Sequence, residues 1–105
     1  MKIQYIRDNN NKPFGVLVAV KDEGSATVRV GYSLVAHGDR FDKKLGRRIA
    51  EGRAMNARHN KVSVAVRDQF TDFVDHLADR KEYAGYRIPH PDAFVFVDNK
   101  GRVIK

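Results

Sequence analysis

Positive side chains cluster between residues 37 and 61, and clustered cations are the groups with which proteins bind phosphate. Eight Lys and Arg residues stand there against three acids, which gives this segment a net charge of +5. Residues 1 to 36 carry a net charge of +2, and residues 62 to 105 carry none. A focused patch attracts a polyanion more strongly than the same charge spread evenly. The pattern therefore predicts a nucleic-acid-binding surface formed by Arg40, Lys43, Lys44, Arg47, Arg48, Arg53, Arg58 and Lys61.

A helix is the element expected to position most of these cations. Asp39 can cap a helix that begins near Arg40, and apolar residues then recur at helical spacing. We expect this apolar face to enter the core, which leaves a basic back exposed to solvent. The predicted core-facing positions are Phe41, Leu45, Ile49 and Gly52, with Met55 at the margin.

A strip of small residues lies between the apolar face and the basic back: Gly46, Ala50 and Ala57. Each interior glycine costs a helix up to about 1 kcal/mol relative to alanine. Gly46 and Gly52 therefore indicate close approach by another backbone or by a ligand, or else the helix ends near Gly52. The sequence is compatible with each of these.

A charged helix back is most often simply solvated, and this is the main alternative to anion binding. A solvated helix usually interleaves both signs of charge, because opposite charges four residues apart stabilise it. Here the local acids are only Asp39, Asp42 and Glu51. The excess of cations favours binding of an anion.

Other residue patterns give little support to enzymatic or metal chemistry. Asp92, Asp98 and Lys100 follow the order of a metal-dependent nuclease motif, but five residues separate the acids, and Asn99 to Gly101 fit a type I′ turn. The chain has no cysteine, and its four histidines lack the spacing of metal ligands. No serine lies in a nucleophile elbow, and the glycines lack phosphate-loop spacing. We therefore predict a protein that is not an enzyme and that binds no metal and no cofactor.

The rest of the chain predicts a small sheet. Segments 2–7, 16–20 and 27–35 have strand patterns separated by turn formers, which indicates a three-stranded antiparallel meander. Residues 93–104 favour a C-terminal hairpin. The expected fold class is α+β in a single domain of residues 1–105, with the meander and the hairpin packed against two amphipathic helices.

The second helix is the clearest element of the sequence. Its apolar stripe has helical spacing, Gly85 marks its expected end, and the segment 62–66 fits either a strand or the start of this helix. The predicted stripe consists of Val66, Phe70, Phe73, Val74, Leu77 and Ala78. The opposite side carries an acidic row, for which solvation is the main expectation: Asp68, Asp72, Asp75 and Asp79.

No segment predicts export or membrane insertion. The longest apolar run, VLVAV at 16–20, is far shorter than a membrane span, and the N-terminal residues lack the apolar run of a signal peptide. The absence of cysteine is compatible with a reducing cytosol. We therefore expect a cytoplasmic protein with no membrane partner.

The segment GYSLVAHGDRFDKKLGRRIAEGRA, residues 31 to 54, combines a strand ending in G-Y-S-L, a short loop and the pattern D-x-F-x-K-K-x-G-x-x-I-A-x-G-R-A. In this it resembles small bacteriophage-encoded proteins of unassigned function, over about a quarter of the chain. The resemblance implies a phage accessory product in the cytoplasm of an infected bacterium, and it carries no catalytic residues. The matching positions are Asp39, Phe41, Lys43, Lys44, Gly46, Ile49, Ala50, Gly52, Arg53 and Ala54.

Two functions follow as expectations. The first is a non-enzymatic, phage-type accessory protein that binds nucleic acid through the basic helix, mainly by phosphate contacts and without base specificity. The alternative is a protein-binding modulator or inhibitor of a host enzyme or defence factor, with the separated basic and acidic faces as steering surfaces. The sequence leaves open the choice between DNA, RNA and protein, and also the oligomeric state.

Overall fold

The computed structural model describes residues 1–36, 38–56 and 60–104, and it shows an α+β fold. The first third of the chain forms a three-stranded antiparallel sheet in the order β1-β2-β3. The turn formers of NNNKP and EGSA separate its strands, as the sequence predicts. The meander is confirmed, with strands β1 (Lys2–Arg7), β2 (Pro13–Asp22) and β3 (Thr27–Leu34).

The central strand β2 is buried on both faces, which explains its unbroken apolar run. Successive side chains of a strand alternate between faces, so Val16 and Val18 point to one side and Leu17 and Ala19 to the other. All four are fully buried, and they belong to two separate apolar clusters. The sheet therefore divides the interior into two cores.

Helix α1 (Lys43–Ala54) begins later than the sequence predicts. Its N-cap is Asp42, whose carboxylate accepts a hydrogen bond from the Leu45 N–H at 3.1 Å. Phe41 precedes the helix and packs edge-on against Tyr5, with 6.1 Å between the ring centroids. Because Phe41 has to reach Tyr5, the chain becomes helical only after it. The predictions of Asp39 as the cap and Arg40 as the start were wrong.

The predicted core-facing side of α1 was also wrong. Leu45 and Ile49 are 50% and 38% exposed, whereas Ala50 and Ala54 are buried. The reason is the short distance between helix and sheet: a Cβ atom at Gly31 would lie 2.3 Å from the Ala50 carbonyl oxygen. Such an approach leaves room only for small side chains, so the small-residue strip faces the sheet.

Two further contacts hold α1 on the sheet, one with β3 and one with β2. The hydroxyl of Ser33, a buried polar side chain, donates a hydrogen bond of 2.7 Å to the Gly46 carbonyl oxygen. A Cβ at Gly46 would lie 3.0 Å from a Val16 methyl group. The close approach of the sheet therefore explains why residue 46 is a glycine. This is one of the alternatives that the sequence left open. Ala57, the third predicted member of the strip, lies outside the described residues.

Helix α2 (Arg67–Leu77) covers the other face of the sheet. Its predicted stripe is buried, except for Ala78, which is exposed just beyond the helix. Gly85, with φ 84°, lies eight residues after the last helical residue, so it does not end α2 as predicted. The buried stripe consists of Val66, Phe70, Phe73, Val74 and Leu77.

The segment 62–66 contains both alternatives that the sequence allowed, the end of a strand and the approach to a helix. Strand β4 (Lys61–Ser63) comes first, and a 3₁₀ turn at Val64–Val66 then leads into α2. The Ser63 hydroxyl accepts a hydrogen bond from the Ala65 N–H at 3.2 Å and so caps this turn.

The C-terminal hairpin is only partly present. Strand β5 (Val95–Val97) pairs in parallel with β4, and one antiparallel bridge, between Val97 and Val103, remains of the expected hairpin. The turn before that bridge is not type I′, since only Gly101 has a positive φ, of 80°. The short segment after the turn allows little pairing, whereas β4 offers β5 a full three-residue register.

The two helices lie on opposite faces of the sheet, so their charged outer surfaces point in opposite directions. The exposed surface of α1 is mainly basic, and that of α2 carries a row of aspartates. Among the described residues, no helix has both the length and the apolar character needed to cross a membrane.

Candidate nucleic-acid interface

The first half of α1 carries four exposed cations, which we call the basic ridge: Lys43, Lys44, Arg47 and Arg48. They form two pairs of like charge at spacing i,i+4, Lys43 with Arg47 and Lys44 with Arg48. Such pairs repel each other and destabilise a helix. A bound anion between them would relieve that repulsion.

Few acids neutralise the ridge. Arg47 forms an ion pair with Glu51, with 2.8 Å between Nε and Oε1. In the parts of the chain that the structure describes, Lys43, Lys44 and Arg48 form no ion pair. Arg29, Arg80 and Arg102, by contrast, each pair with a carboxylate elsewhere on the surface. The ridge therefore keeps most of its positive charge.

The start of α1 runs against the usual charge preference of helices. The first turn contains no acid and begins with Lys43 and Lys44. The helix dipole makes cations unfavourable at an N-terminus, by about 0.3–1 kcal/mol each at an exposed site. A sequence that violates a local preference without an evident structural gain often does so at a functional site.

The remaining predicted site residues do not all join the ridge. Arg40 is exposed in the loop before α1. Arg53 and Lys61 line a separate cleft of about 180 Å³ beside Tyr32, where an Arg53 guanidinium nitrogen donates to the Tyr32 carbonyl oxygen at 3.2 Å. Arg58 lies outside the described residues. The predicted set thus divides into the ridge with Arg40 nearby, and a second group at the other end of α1.

One aromatic side chain lies beside the ridge. The Tyr5 ring is half-buried, with the Lys43 ammonium 5.1 Å and the Arg7 guanidinium 6.0 Å from its centroid. The sequence prediction omitted Arg7, although the strand alternation of KIQYIR places it on the same face as Tyr5. Arg7 therefore extends the positive surface from α1 onto β1.

The other tyrosines are engaged in the fold. The Tyr32 hydroxyl accepts from the Ser63 N–H at 2.9 Å and donates to the Lys61 carbonyl oxygen at 3.4 Å. Tyr83 is buried, and burial raises the pKa of its hydroxyl. Tyr86 is half-buried against the Lys21 ammonium, 5.2 Å from its ring centroid. Tyr5 is accordingly the tyrosine best placed to contact a ligand of the ridge.

Asp98, which the sequence placed in a nuclease-like order, stabilises a turn. Its carboxylate accepts hydrogen bonds of 2.9 Å from the N–H groups of Lys100 and Arg102 and from the Arg102 side chain. Lys100 occupies the turn itself. Across residues 1–36, 38–56 and 60–104, no group of three or more His or acidic side chains is arranged to hold a metal ion.

This turn predicts a pH dependence of stability. The hydrogen bond from the Arg102 N–H is the largest cause that lowers the pKa of Asp98 below its ordinary value. A lowered pKa contributes stability above the unfolded pKa of about 3.9 and loses it as the pH falls through the folded value. We expect Asp98→Asn to lower the melting temperature at pH 7, and the gap to wild type to close as the pH falls below about 4. A gap that stays constant across this range, in melts followed by circular dichroism, would contradict the assignment.

Comparison with known proteins gives no family assignment. A scan of protein-family models, a search of curated proteins and a search of solved structures each found no match to this chain. The surface of α1 is therefore the main evidence on function.

Proposed function

We propose that this protein binds nucleic acid through the basic ridge, mainly by contacts to phosphates, and that it is not an enzyme. The main support for the proposal is the uncompensated positive charge of α1. The helix begins with two lysines, and Arg47 is the one of its four ridge cations that pairs with an acid among the described residues. Cations spaced one helical turn apart can each neutralise a phosphate and release its counterions. The phage-type accessory role implied by the resemblance, and a cytoplasmic location, belong to the same proposal.

The composition of α1 favours binding without base preference. Its exposed polar side chains are Lys, Arg and Glu, and the helix contains no Asn or Gln, the side chains that read adenine by paired hydrogen bonds. Phosphate contacts position a protein on nucleic acid without carrying sequence information. We accordingly expect similar affinity for unrelated sequences.

The negative charge of α2 helps to orient the protein as it approaches a nucleic acid. The α2 surface presents Asp68, Asp72 and Asp75 on the far side of the sheet from the ridge. A molecule with one basic and one acidic face turns its basic face towards a polyanion as it approaches. The acidic face needs no ligand of its own in this role.

The substitution Lys44→Glu tests the proposal because it is expected to move stability and binding in opposite directions. A glutamate there places an acid in the first turn and forms an i,i+4 pair with Arg48, which together should stabilise the fold by about 1 kcal/mol. That gain corresponds to a rise in melting temperature of about 4 °C or more. Affinity for a mixed-sequence duplex at low salt should fall at least about tenfold, since the ridge loses two units of charge.

Thermal melts and fluorescence anisotropy measure the two effects on the same preparation. Lys81→Glu supplies the matched control, because Lys81 is equally exposed and lies beyond α2. It makes the same change in net charge and should leave binding within about twofold of wild type. Equal losses of affinity in the two variants would show that net charge, and not the ridge, determines binding.

A further inference from the structure

The outer surface of α1 carries exposed apolar side chains beside the ridge. Leu45, Ile49 and Met55 are 50%, 38% and 51% exposed, and with Gly52 they follow one another three or four residues apart. Positions with this spacing are neighbours on a helix surface. We call these four residues the apolar strip. It is the stripe that the sequence predicted for the core, and the structure turns it to solvent.

A groove adjoins the N-terminal half of the apolar strip. It has a volume of about 220 Å³ and lies between α1 and the chain that leads from β3 into it. Leu45 and Ile49 form one wall, and Leu34, Val35 and Ala36 form the other. An apolar surface that remains exposed next to a groove is typical of a protein interaction site.

Gly52 adds an independent feature. Apart from its chain neighbours and the backbone of α1 itself, no atom of the described chain lies within 4 Å of the position that its Cβ would occupy. An exposed glycine inside a helix costs about 1 kcal/mol relative to alanine, and nothing in the described fold uses the space that it leaves. A missing side chain on the outer face lets another helix approach α1 closely at this point.

Charged residues around the apolar strip restrict the partner. Helix geometry places Lys44 and Arg48 along one edge. Arg53 lies beyond the other edge, and its guanidinium donates to the Tyr32 carbonyl oxygen in the separate cleft. The nearby acids are Asp39, which is exposed, Asp42, whose carboxylate is held by the Leu45 N–H, and Glu51, which pairs with Arg47. A ligand that covers the apolar strip must therefore be apolar along its centre and mainly acidic at its edges.

A second copy of this chain fits that description poorly. Two α1 surfaces would bring together segments that each carry a net charge of +5. The acidic surface of α2 supplies the right charge, but its exposed positions lack large apolar side chains.

Unpaired nucleic-acid bases match the apolar strip less well than a protein partner does. Bases pack on aromatic side chains in single-stranded complexes, whereas the exposed residues of the apolar strip are aliphatic. Leu, Ile and Met with flanking Arg and Lys are instead the composition of a surface that holds an amphipathic helix.

We infer that the apolar strip is a docking surface for an acidic amphipathic helix of another protein. About three turns of the partner lie along α1, its apolar residues contact Leu45, Ile49 and Met55, and its acids pair with Lys44 and Arg48. This goes beyond nucleic-acid binding and does not depend on it. Because Lys44 and Arg48 belong to both surfaces, the two ligands compete.

A designed peptide tests this directly. The probe is a helix-forming peptide of about 15 residues with leucines on one face and glutamates elsewhere. The chain has two methionines, Met1 and Met55, so methyl-labelled methionine gives one reporter in the apolar strip and one internal reference. We expect the Met55 methyl signal to shift in a saturable manner while the Met1 signal stays unchanged.

Two comparisons show whether the apolar contacts matter. The double substitution Leu45→Asn/Ile49→Asn changes exposed side chains and should weaken the peptide at least about tenfold. Asparagine is a poorer helix former than leucine, so we expect a folded variant whose melting temperature is lower by a few degrees. A peptide of equal charge with serine in place of leucine should bind at least about tenfold more weakly than the probe.

Three results would overturn the inference: no saturable shift of Met55 with the leucine peptide, equal binding of the serine peptide, or wild-type peptide affinity in the double variant. Retained nucleic-acid binding by Leu45→Asn/Ile49→Asn alongside lost peptide binding would separate this surface from the ridge. If instead a single-stranded oligonucleotide shifts Met55 and the leucine peptide does not, the apolar strip belongs to the nucleic-acid surface and the inference is wrong.

Discussion

Replacing Gly31 with alanine is expected to destabilise the domain by about 3 kcal/mol or more. The new Cβ would lie 2.3 Å from the Ala50 carbonyl oxygen and 2.5 Å from the Ala54 nitrogen, and both of these are backbone atoms. A flexible side chain can move aside, but here the whole helix would have to lift from the sheet. That movement would open the core around Val16 and Val18. A small folded protein has about 5–15 kcal/mol of stability in total.

Gly52→Ala is the matched control, since it makes the same chemical change on the other side of the same helix contact. Its Cβ would meet no described atom within 4 Å apart from its chain neighbours and the backbone of α1 itself, and alanine favours a helix. We expect this variant to gain about 0.5–1 kcal/mol. Urea denaturation followed by circular dichroism measures both. Comparable stabilities for the two variants would mean that α1 does not pack against β3 as described.

The elements that local chemistry determines were predictable from the sequence. The meander follows from turn formers between short apolar runs, and α2 follows from a stripe of large apolar residues with helical spacing. In α2 the residues that define the period are also the residues that are buried. Phe70 and Phe73, for example, are almost fully buried.

Helix α1 shows why the same reasoning fails where packing distance decides. Leu45 and Ile49 have helical spacing, so a periodicity argument places them in the core. The close contact at Gly31 instead selects Ala50 and Ala54, and that contact involves a residue of another element. Spacing within the helix segment does not reveal which stripe fits a nearby backbone. The parallel pairing of β5 with β4 was missed for a similar reason, because it joins segments more than thirty residues apart.

The sequence predicted which charged residues belong to the candidate site, but not how they are arranged in space. The composition of residues 37–61 identified the ridge cations, which the structure exposes on α1. It did not indicate that Arg53 and Lys61 line a different cleft, or that Arg7 of β1 extends the surface beside Tyr5. These placements depend on the sheet that holds α1.

The second large effect is the loss of nucleic-acid binding with salt. If the four ridge cations each meet a phosphate, the slope of log affinity against log salt should be about −3.6 on duplex DNA. Affinity should then fall roughly a hundredfold or more between about 50 and 200 mM salt. Lys44→Ala/Arg48→Ala removes two contacts that have no described ion-pair partner, so the slope should flatten by about two units.

The fold should not respond to this double substitution. Both side chains are exposed on the outer face of α1, away from Ala50 and Ala54. Lys81→Ala/Lys100→Ala is the matched control, because it removes two exposed lysines that lie outside α1. The control should keep the wild-type slope to within about half a unit, since distant charges contribute little at these salt concentrations.

Fluorescence anisotropy of a labelled mixed-sequence duplex, titrated with the protein across this salt range, measures whether the ridge cations contact phosphates. We expect a slope of about −3.6 for the wild type, about −1.8 for Lys44→Ala/Arg48→Ala and an unchanged slope for the lysine control. No detectable binding at low salt, or the same slope in the wild type and in Lys44→Ala/Arg48→Ala, would contradict this expectation.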